Sequence, residues 1–289
     1  MSANSPLSIV RTDPFWNKGG VVLVALVAGF WLMLRWFEHS QVYHPTRPFV
    51  ADADELGRPH EEAAFVAADG TSLHGWFFPA HTNSTRSHLA IIYCHGNGGN
   101  ISHRLNTCEA LLATGVSVLI FDYRGYGRSS GKPDEEGTYM DAEAAHAWLM
   151  KKGFPETNLI AYGESLGGGV ATELAGRRKT GGLILQSTFT SIPDIGAELF
   201  PWLPVRWLSR IHYATQGKLP SLKVPLLVMH SRDDGLIPFT HAETNFASAN
   251  EPKRFCEIKG NHNYPLMDRR RYHEGIEDFL QLMESQRPK

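Results

Sequence analysis

From Leu89 onward the chain keeps returning to short, dense apolar runs: LAIIYC, VSVLIF, NLIAY, GLILQ and PLLVMH, with longer stretches of helical spacing between most of them. Runs of this kind suit parallel strands buried on both faces, and their alternation with helices predicts a layered α/β sheet. Ahead of them, EEAAFVAADGTSLHGWFFP holds two extended segments around the turn-forming pair Asp69-Gly70, which predicts an opening hairpin. After them, FCEI reads as the last strand, and a terminal helix is expected to begin near Asp268. No internal repeat or low-complexity tract interrupts the pattern.

Two segments depart from it. Residues 19–34 read GGVVLVALVAGFWLML without a charge, and Arg35, Trp36 and Phe37 extend the apolar path. That length is a little under the roughly 20 residues that span a bilayer, but an arginine can snorkel to the interface. The segment 19–37 is therefore read as a single transmembrane anchor after an N-terminal flank, 1–18. Aromatic residues Phe15, Trp16, Trp31, Trp36 and Phe37 gather near its ends as interface anchors do. A cleaved signal peptide and a buried or interfacial helix are the rival readings; no convincing small-x-small cleavage site follows. Arg11 and Lys18 precede the segment and Arg35 nearly cancels their bias, so the side of the membrane is left open. Residues 38–53 read as a linker packing on the domain, and 54–289 as the catalytic domain. The second departure, 189–213, is rich in Trp, Phe and Pro and separates two predicted strands; it reads as a lid-like excursion whose aromatics line an apolar pocket, against the alternative of ordinary helix packing.

Composition narrows the field. With 289 residues and 42% hydrophobic content, one large α/β domain plus an N-terminal extension fits. A net charge of -2 with no dense basic block offers nothing to nucleic acid, and Arg269, Arg270 and Arg271 read as a solvated helix face. The three cysteines, Cys94, Cys108 and Cys256, are widely spaced and odd in number, so they suggest neither a disulfide framework nor a thiolate metal site.

The candidate chemistry starts at Gly163-Glu164-Ser165-Leu166-Gly167, which follows the NLIAY strand and precedes a predicted helix. A nucleophile on a sharp strand-to-helix turn needs small neighbours, and its hydroxyl then points away from the sheet. A serine hydroxyl is a weak nucleophile until a base takes its proton. Among 14 histidines, His262 stands in a loop after the last predicted strand, where it can reach back over the sheet edge. His230, ending a strand, reads as structural; His241 and His273, on predicted helices, read as solvent-facing or packing residues. The acid that orients the base comes from HSRDDGLIP, where Asp234 is preferred over Asp233, the latter capping the turn or lying in solvent. For the oxyanion, the Leu166 amide follows from its place after the nucleophile, and the Asn97 amide in HGNGGN is the second donor. That loop lacks the G-x-x-x-x-G-K-[ST] arrangement of a phosphate loop.

YCHGNGGN, FDYRGYGRSSG, YGESLGGG, HSRDDGLIP and GNHN, in this order, resemble the Bem46-like, abhydrolase-domain branch of the α/β-hydrolases, over roughly residues 38–282. The resemblance implies that fold, with a mostly parallel central sheet flanked by helices, and implies the same roles for Ser165, Asp234 and His262. Ser231 stands where the family often has Gly. Asp122 and Arg124 are expected to stabilise loops, and Tyr126 to do the same or approach substrate. Relatives resemble lipases, carboxylesterases, thioesterases and prolyl-oligopeptidase-like peptidases, so the leaving group is not chosen by likeness. The depalmitoylating relatives carry a cysteine-rich N-terminus, whereas no cysteine here precedes Cys94, which favours a generic ester or thioester activity. The expectation is a membrane-anchored serine hydrolase acting on a small-molecule or lipid-like acyl substrate without metal or organic cofactor. Its rivals are a small-peptide serine peptidase and a non-catalytic tethered binding protein.

Overall fold

A computed structural model of the protein describes residues 15–286. Most of the N-terminal flank, Arg11 included, lies outside these residues. The chain divides into two compact units, Met1–Val42 and Tyr43–Lys289.

In the first unit, helix α1 runs Phe15–Val42, and its stretch Gly19–Val42 is 24 residues long. At about 1.5 Å per residue this is about 36 Å, enough by length and composition to cross a hydrocarbon core of about 30 Å. The helix passes beyond Phe37 into the stretch read as linker. Glu38, His39, Ser40 and Gln41 are polar but not helix-breaking; Arg35 pairs with Glu38 at 2.7 Å, and the Ser40 hydroxyl donates to Phe37 O at 2.7 Å. Polarity changes there before helical geometry does.

The second unit is built on eight strands, which we number β1 (Glu61–Val66), β2 (Ser72–Phe78), β3 (Ala90–Cys94), β4 (Ser117–Asp122), β5 (Leu159–Glu164), β6 (Gly182–Gln186), β7 (Leu226–Ser231) and β8 (Lys253–Ile258). They form one sheet in the order β1-β2-β4-β3-β5-β6-β7-β8. The hairpin β1–β2 is antiparallel and joins β4 antiparallel; every later pairing is parallel. The five apolar runs that announced a buried parallel sheet occupy β3 to β7, and β3, β4, β6 and β7 are buried at every residue.

Helices cover both faces. On one, α2 (Leu105–Leu112) and α9 (Arg269–Ser285) touch each other and enclose alternate residues of the strands: Ile91 and Tyr93, Ile160 and Tyr162, Leu227 and Met229. That period of two is what a sheet buried on both faces divides between its layers. On the other, α3 (Glu135–Lys151) packs on α4 (Leu166–Arg177), which meets α7 (Thr215–Lys218), which in turn meets α8 (Phe239–Ser248). The excursion leaves β6 and holds α5 (Ile192–Leu199) and the single turn α6 (Val205–Leu208), in contact with each other.

Residues after α1 run along the loop that follows β3. His44–Pro45 pair in parallel with Gly98–Gly99, and the Asn100 amide donates to Thr46 O at 2.9 Å and Pro48 O at 2.8 Å. This strap belongs to the same compact unit as the sheet.

Candidate active site

The turn from β5 into α4 carries Ser165 at φ 54 and ψ −118, a left-handed backbone that a serine adopts only when its surroundings impose it. They do so through hydrogen bonds on both sides. Ser165 N–H donates to Gln186 O at 2.9 Å, continuing the β5–β6 ladder, and Ser165 O accepts from Gly168 N at 2.9 Å and from the Thr188 hydroxyl at 2.6 Å. Space is equally restrictive. A Cβ on Gly167 would stand 1.9 Å from Cys94 O, and one on Gly163 2.3 Å from Gly167 O, so the glycines flanking the serine let strand, turn and helix close on one another.

The loops after β7 and β8 bring the other nominated residues to this turn. The His262 imidazole faces Ser165 Oγ with Nε2 at 3.1 Å and Asp234 Oδ2 with Nδ1 at 2.8 Å. An ionised carboxylate only accepts, so Nδ1 carries the proton and Nε2 presents its lone pair to the serine hydroxyl. Asp234 is itself fixed: its Oδ1 accepts from Leu236 N at 3.0 Å and Ile237 N at 2.9 Å. Burial works against its charge, but the hydrogen bond from His262 and those two amides hold its carboxyl below the ordinary value. The neighbouring Asp233 is exposed, and its N–H donates to Ser231 Oγ at 3.1 Å.

His230 is structural, as read: its Nε2–H donates to Ile237 O at 2.9 Å, and burial pushes the imidazole below its ordinary value. His241 is the packing residue of the two alternatives offered, buried with Nδ1 accepting from Thr190 N at 3.1 Å. Asp122 accepts from Ile101 N at 3.0 Å, and Arg124 is clamped by Asp141 at 2.8 Å and Asp69 at 2.7 Å, so both hold loops. The Tyr126 hydroxyl donates to Asn97 O at 2.8 Å, a bond that His44 N joins at 3.1 Å. Leu166 opens α4, which sets its amide beside Ser165 at the helix N-terminus.

One group was not singled out by the sequence reading. Glu164, next to the serine, receives the Tyr93 hydroxyl on one carboxylate oxygen and lies 3.2 Å from Arg104 Nε on the other. An acidic residue at the end of an otherwise apolar strand was the signal available for it.

Strand order, a strained serine at the β5–α4 turn and loops converging from β7 and β8 define an α/β-hydrolase, a hydrolase of esterase-like fold. Comparison with known proteins agrees. The esterase Pf2001 of Pyrococcus furiosus superposes with a TM-score of 0.68 at 22% identity, covering 83% of this chain and 98% of that one, a likeness of fold. A family model described as serine aminopeptidase, S33, matches residues 85–219. The chain is 40% identical over 264 residues to the uncharacterized protein Rv2307c of Mycobacterium tuberculosis, covering 90% of this chain and 93% of that protein. It is 30% identical over 201 residues to protein bem46 of Schizosaccharomyces pombe, covering 67% of each. The chain belongs to the Bem46-like branch of the α/β-hydrolases.

Proposed function

We propose that the protein is a membrane-anchored serine hydrolase that cleaves carboxylic esters or thioesters with a lipophilic acyl group, through Ser165, His262 and Asp234. The observation that carries this reading is the hydrogen-bonded relay of 3.1 Å and 2.8 Å ending on a serine held at positive φ. His262 takes the Ser165 proton as Oγ attacks the acyl carbonyl, and Asp234 keeps the imidazole in the tautomer that can accept it. The Leu166 and Asn97 amides receive the oxyanion. His262 then protonates the leaving group, and in the second half it activates the water that releases the acyl chain.

The lipophilic preference is supported by where apolar side chains stand exposed. Outside α1, nine large apolar side chains are exposed among the described residues; Val50, Val66 and Met150 are scattered, while Leu199, Trp202, Trp207, Leu236, Tyr264 and Met267 lie on the segments that leave the C-terminal ends of the adjacent parallel strands β6, β7 and β8. Asp234 and His262 come from the same loops. Exposed apolar surface gathered at one edge marks a place where an apolar partner is received. The apolar, unburied stretch of α1 supports the anchor.

Labelling with a fluorophosphonate probe tests the reaction class: wild type should label and Ser165→Ala should not. Unlabelled, folded wild-type protein would sink the reading. Carbonate extraction of membranes tests the anchor, which fails if the protein is released. The family model's description favours one second reading, a small-peptide serine peptidase with the same residues. A panel of acyl-chain lengths as esters, thioesters and aminoacyl amides separates the two by relative kcat/KM.

A further inference from the structure

The carboxylate beside the candidate nucleophile is engaged in a manner the triad does not use. Glu164 shares the strand face of Ile160 and Tyr162, toward α2, and its side chain is 13% exposed. Arg104 closes the single 3-10 turn Ile101–Arg104 that leads from the loop after β3 into α2, and its side chain is 18% exposed. The guanidinium touches two things at once: Nε lies 3.2 Å from Glu164 Oε1, and Nη2 donates to Gly98 O at 3.0 Å. The other carboxylate oxygen of Glu164 accepts from the hydroxyl of Tyr93, on β3 just before that loop. Burial, and after it the Glu164 charge, push this hydroxyl well above its ordinary range, so it stays a donor.

The loop holding Asn97 is therefore held against Glu164 at both ends, ahead of it by the Tyr93 hydrogen bond and behind it by Arg104, which bonds Gly98 O and pairs with Glu164 by charge rather than by a hydrogen bond. Its middle is equally close. A Cβ on Gly96 would lie 3.3 Å from Glu164 Oε1, 3.4 Å from Arg104 Nη2 and 3.5 Å from Ser165 Cβ. Glu164 is also two residues from Leu166 along the chain. We infer that the Arg104–Glu164 pair is a brace that sets the spacing between the two amides proposed to hold the oxyanion, and that both are positioning residues for acyl transfer. The inference rests on the serine-hydrolase reading.

A largely buried ion pair is a weak source of stability, because desolvation offsets its attraction. Its worth here is geometric. An oxyanion donor must stand within about 2.7–3.1 Å of an atom that becomes charged only in the transition state, so a small widening costs turnover more than substrate binding.

The test uses the full chain in detergent micelles, a soluble p-nitrophenyl ester and two inhibitors with one acyl chain. The first is a trifluoromethyl ketone, which forms a hemiketal oxyanion on serine; the second is the matching secondary alcohol, which does not. Glu164→Gln and Arg104→Lys are each expected to lower kcat about 10- to 100-fold with KM within about threefold, a loss comparable to weakening one oxyanion donor. The ketone should lose affinity in step with kcat while the alcohol binds as before. Unchanged kcat, or equal weakening of ketone and alcohol, would overturn the brace. Tyr93→Phe, which removes one bond to Glu164 and keeps the ring, carries the same test if either charged-site variant fails to fold. A wild-type chain that neither hydrolyses the ester nor captures the ketone would overturn the serine-hydrolase reading and the brace with it; active wild type with indifferent variants overturns the brace only.

Discussion

Asp234→Asn isolates what the buried acid contributes to the proposed mechanism. The change is nearly isosteric, and the new side-chain oxygen can keep both bonds from Leu236 N and Ile237 N, at 3.0 and 2.9 Å. What reverses is the group facing His262. Where Oδ2 accepts from Nδ1 at 2.8 Å, the amide nitrogen presents a donor, so the imidazole must offer a lone pair there and turn its N–H toward Ser165. That tautomer cannot take the serine proton. The same substitution in the chymotrypsin-type triad lowers kcat about 10⁴-fold, and at about 1.4 kcal/mol per tenfold this corresponds to about 5.5 kcal/mol of lost transition-state stabilisation. Asp233→Asn is the internal control: its side chain is exposed and only its backbone N–H is bonded, to Ser231 Oγ. We expect Asp234→Asn to lose about 10³- to 10⁴-fold in kcat on a soluble ester with little change in KM, and Asp233→Asn to stay within about threefold of wild type. Stopped assays with purified protein, corrected for active fraction by circular dichroism and thermal melts, measure both. A loss below tenfold at Asp234, or a larger loss at Asp233, would refute the assignment of the acid.

Three further outcomes follow from the same geometry. Gly167→Ala drives a methyl to 1.9 Å from the Cys94 carbonyl, which is backbone and cannot swing aside, whereas Gly217 has nothing within 4 Å of an added Cβ; urea titration should show a loss of about 3 kcal/mol or more for the first and a change within about 0.5 kcal/mol for Gly217→Ala. Burial lowers the His95 imidazole to about 4, so the unfolded chain binds that proton first as pH falls: stability should be flat above about pH 6.5, decline between there and about pH 4, and decline less in His95→Gln, with an unchanged urea midpoint from pH 7.5 to 5 counting against the neutral buried imidazole. The double substitution Trp202→Ser, Trp207→Ser, at side chains 75% and 90% exposed, should leave the melting temperature nearly unchanged; the kcat/KM ratio for a long-chain over an acetyl ester should fall about tenfold, and an unaltered ratio would separate those rings from acyl recognition.

Much of this architecture was legible because its causes are local. An apolar run bounded by polar turns is enough to mark β3 to β7, since a strand buried on both faces takes a charge only at its end, as β4 does at Asp122 and β5 at Glu164. Ser165 announces itself in the same way: glycines needed for close approach sit beside it in the chain, and the strand before it and the helix after it are readable. His262 and Asp234 are distant in sequence, but each stands just after a strand whose C-terminal end a parallel sheet must deliver to the same edge. Features that depend on pairing across the fold were not legible. Whether His241 faces solvent or core turns on a helix rotation that its neighbours in sequence do not specify. Arg104 and Tyr93 look unremarkable in isolation and Glu164 is marked only as an acid ending an apolar strand; their meeting requires β3 and β5 to be adjacent, an order reached only after the chain has crossed through β4. Where α1 ends was not legible either, because hydropathy falls after Phe37 while the hydrogen-bonded helix continues to Val42.

That contrast bears on how substrate choice arises in this chain. The groups proposed to react lie on turns shaped by close backbone contacts, such as Gly167 against Cys94 O, so substitutions there are expected to alter the chemistry or the fold. The excursion after β6 is under a different constraint. Thr190 and Ser191 both donate to Asp194, and Asn245 Nδ2 donates to Phe189 O, which ties down its first turn, while Trp202 and Trp207 beyond it are exposed. A segment anchored at its root and apolar at its tip can vary without disturbing Ser165. The reaction class is thus expected to be robust to changes in residues 196–208, and chain-length preference to follow them, which is why the same panel of esters should separate triad variants, uniform in their losses, from excursion variants, selective in theirs.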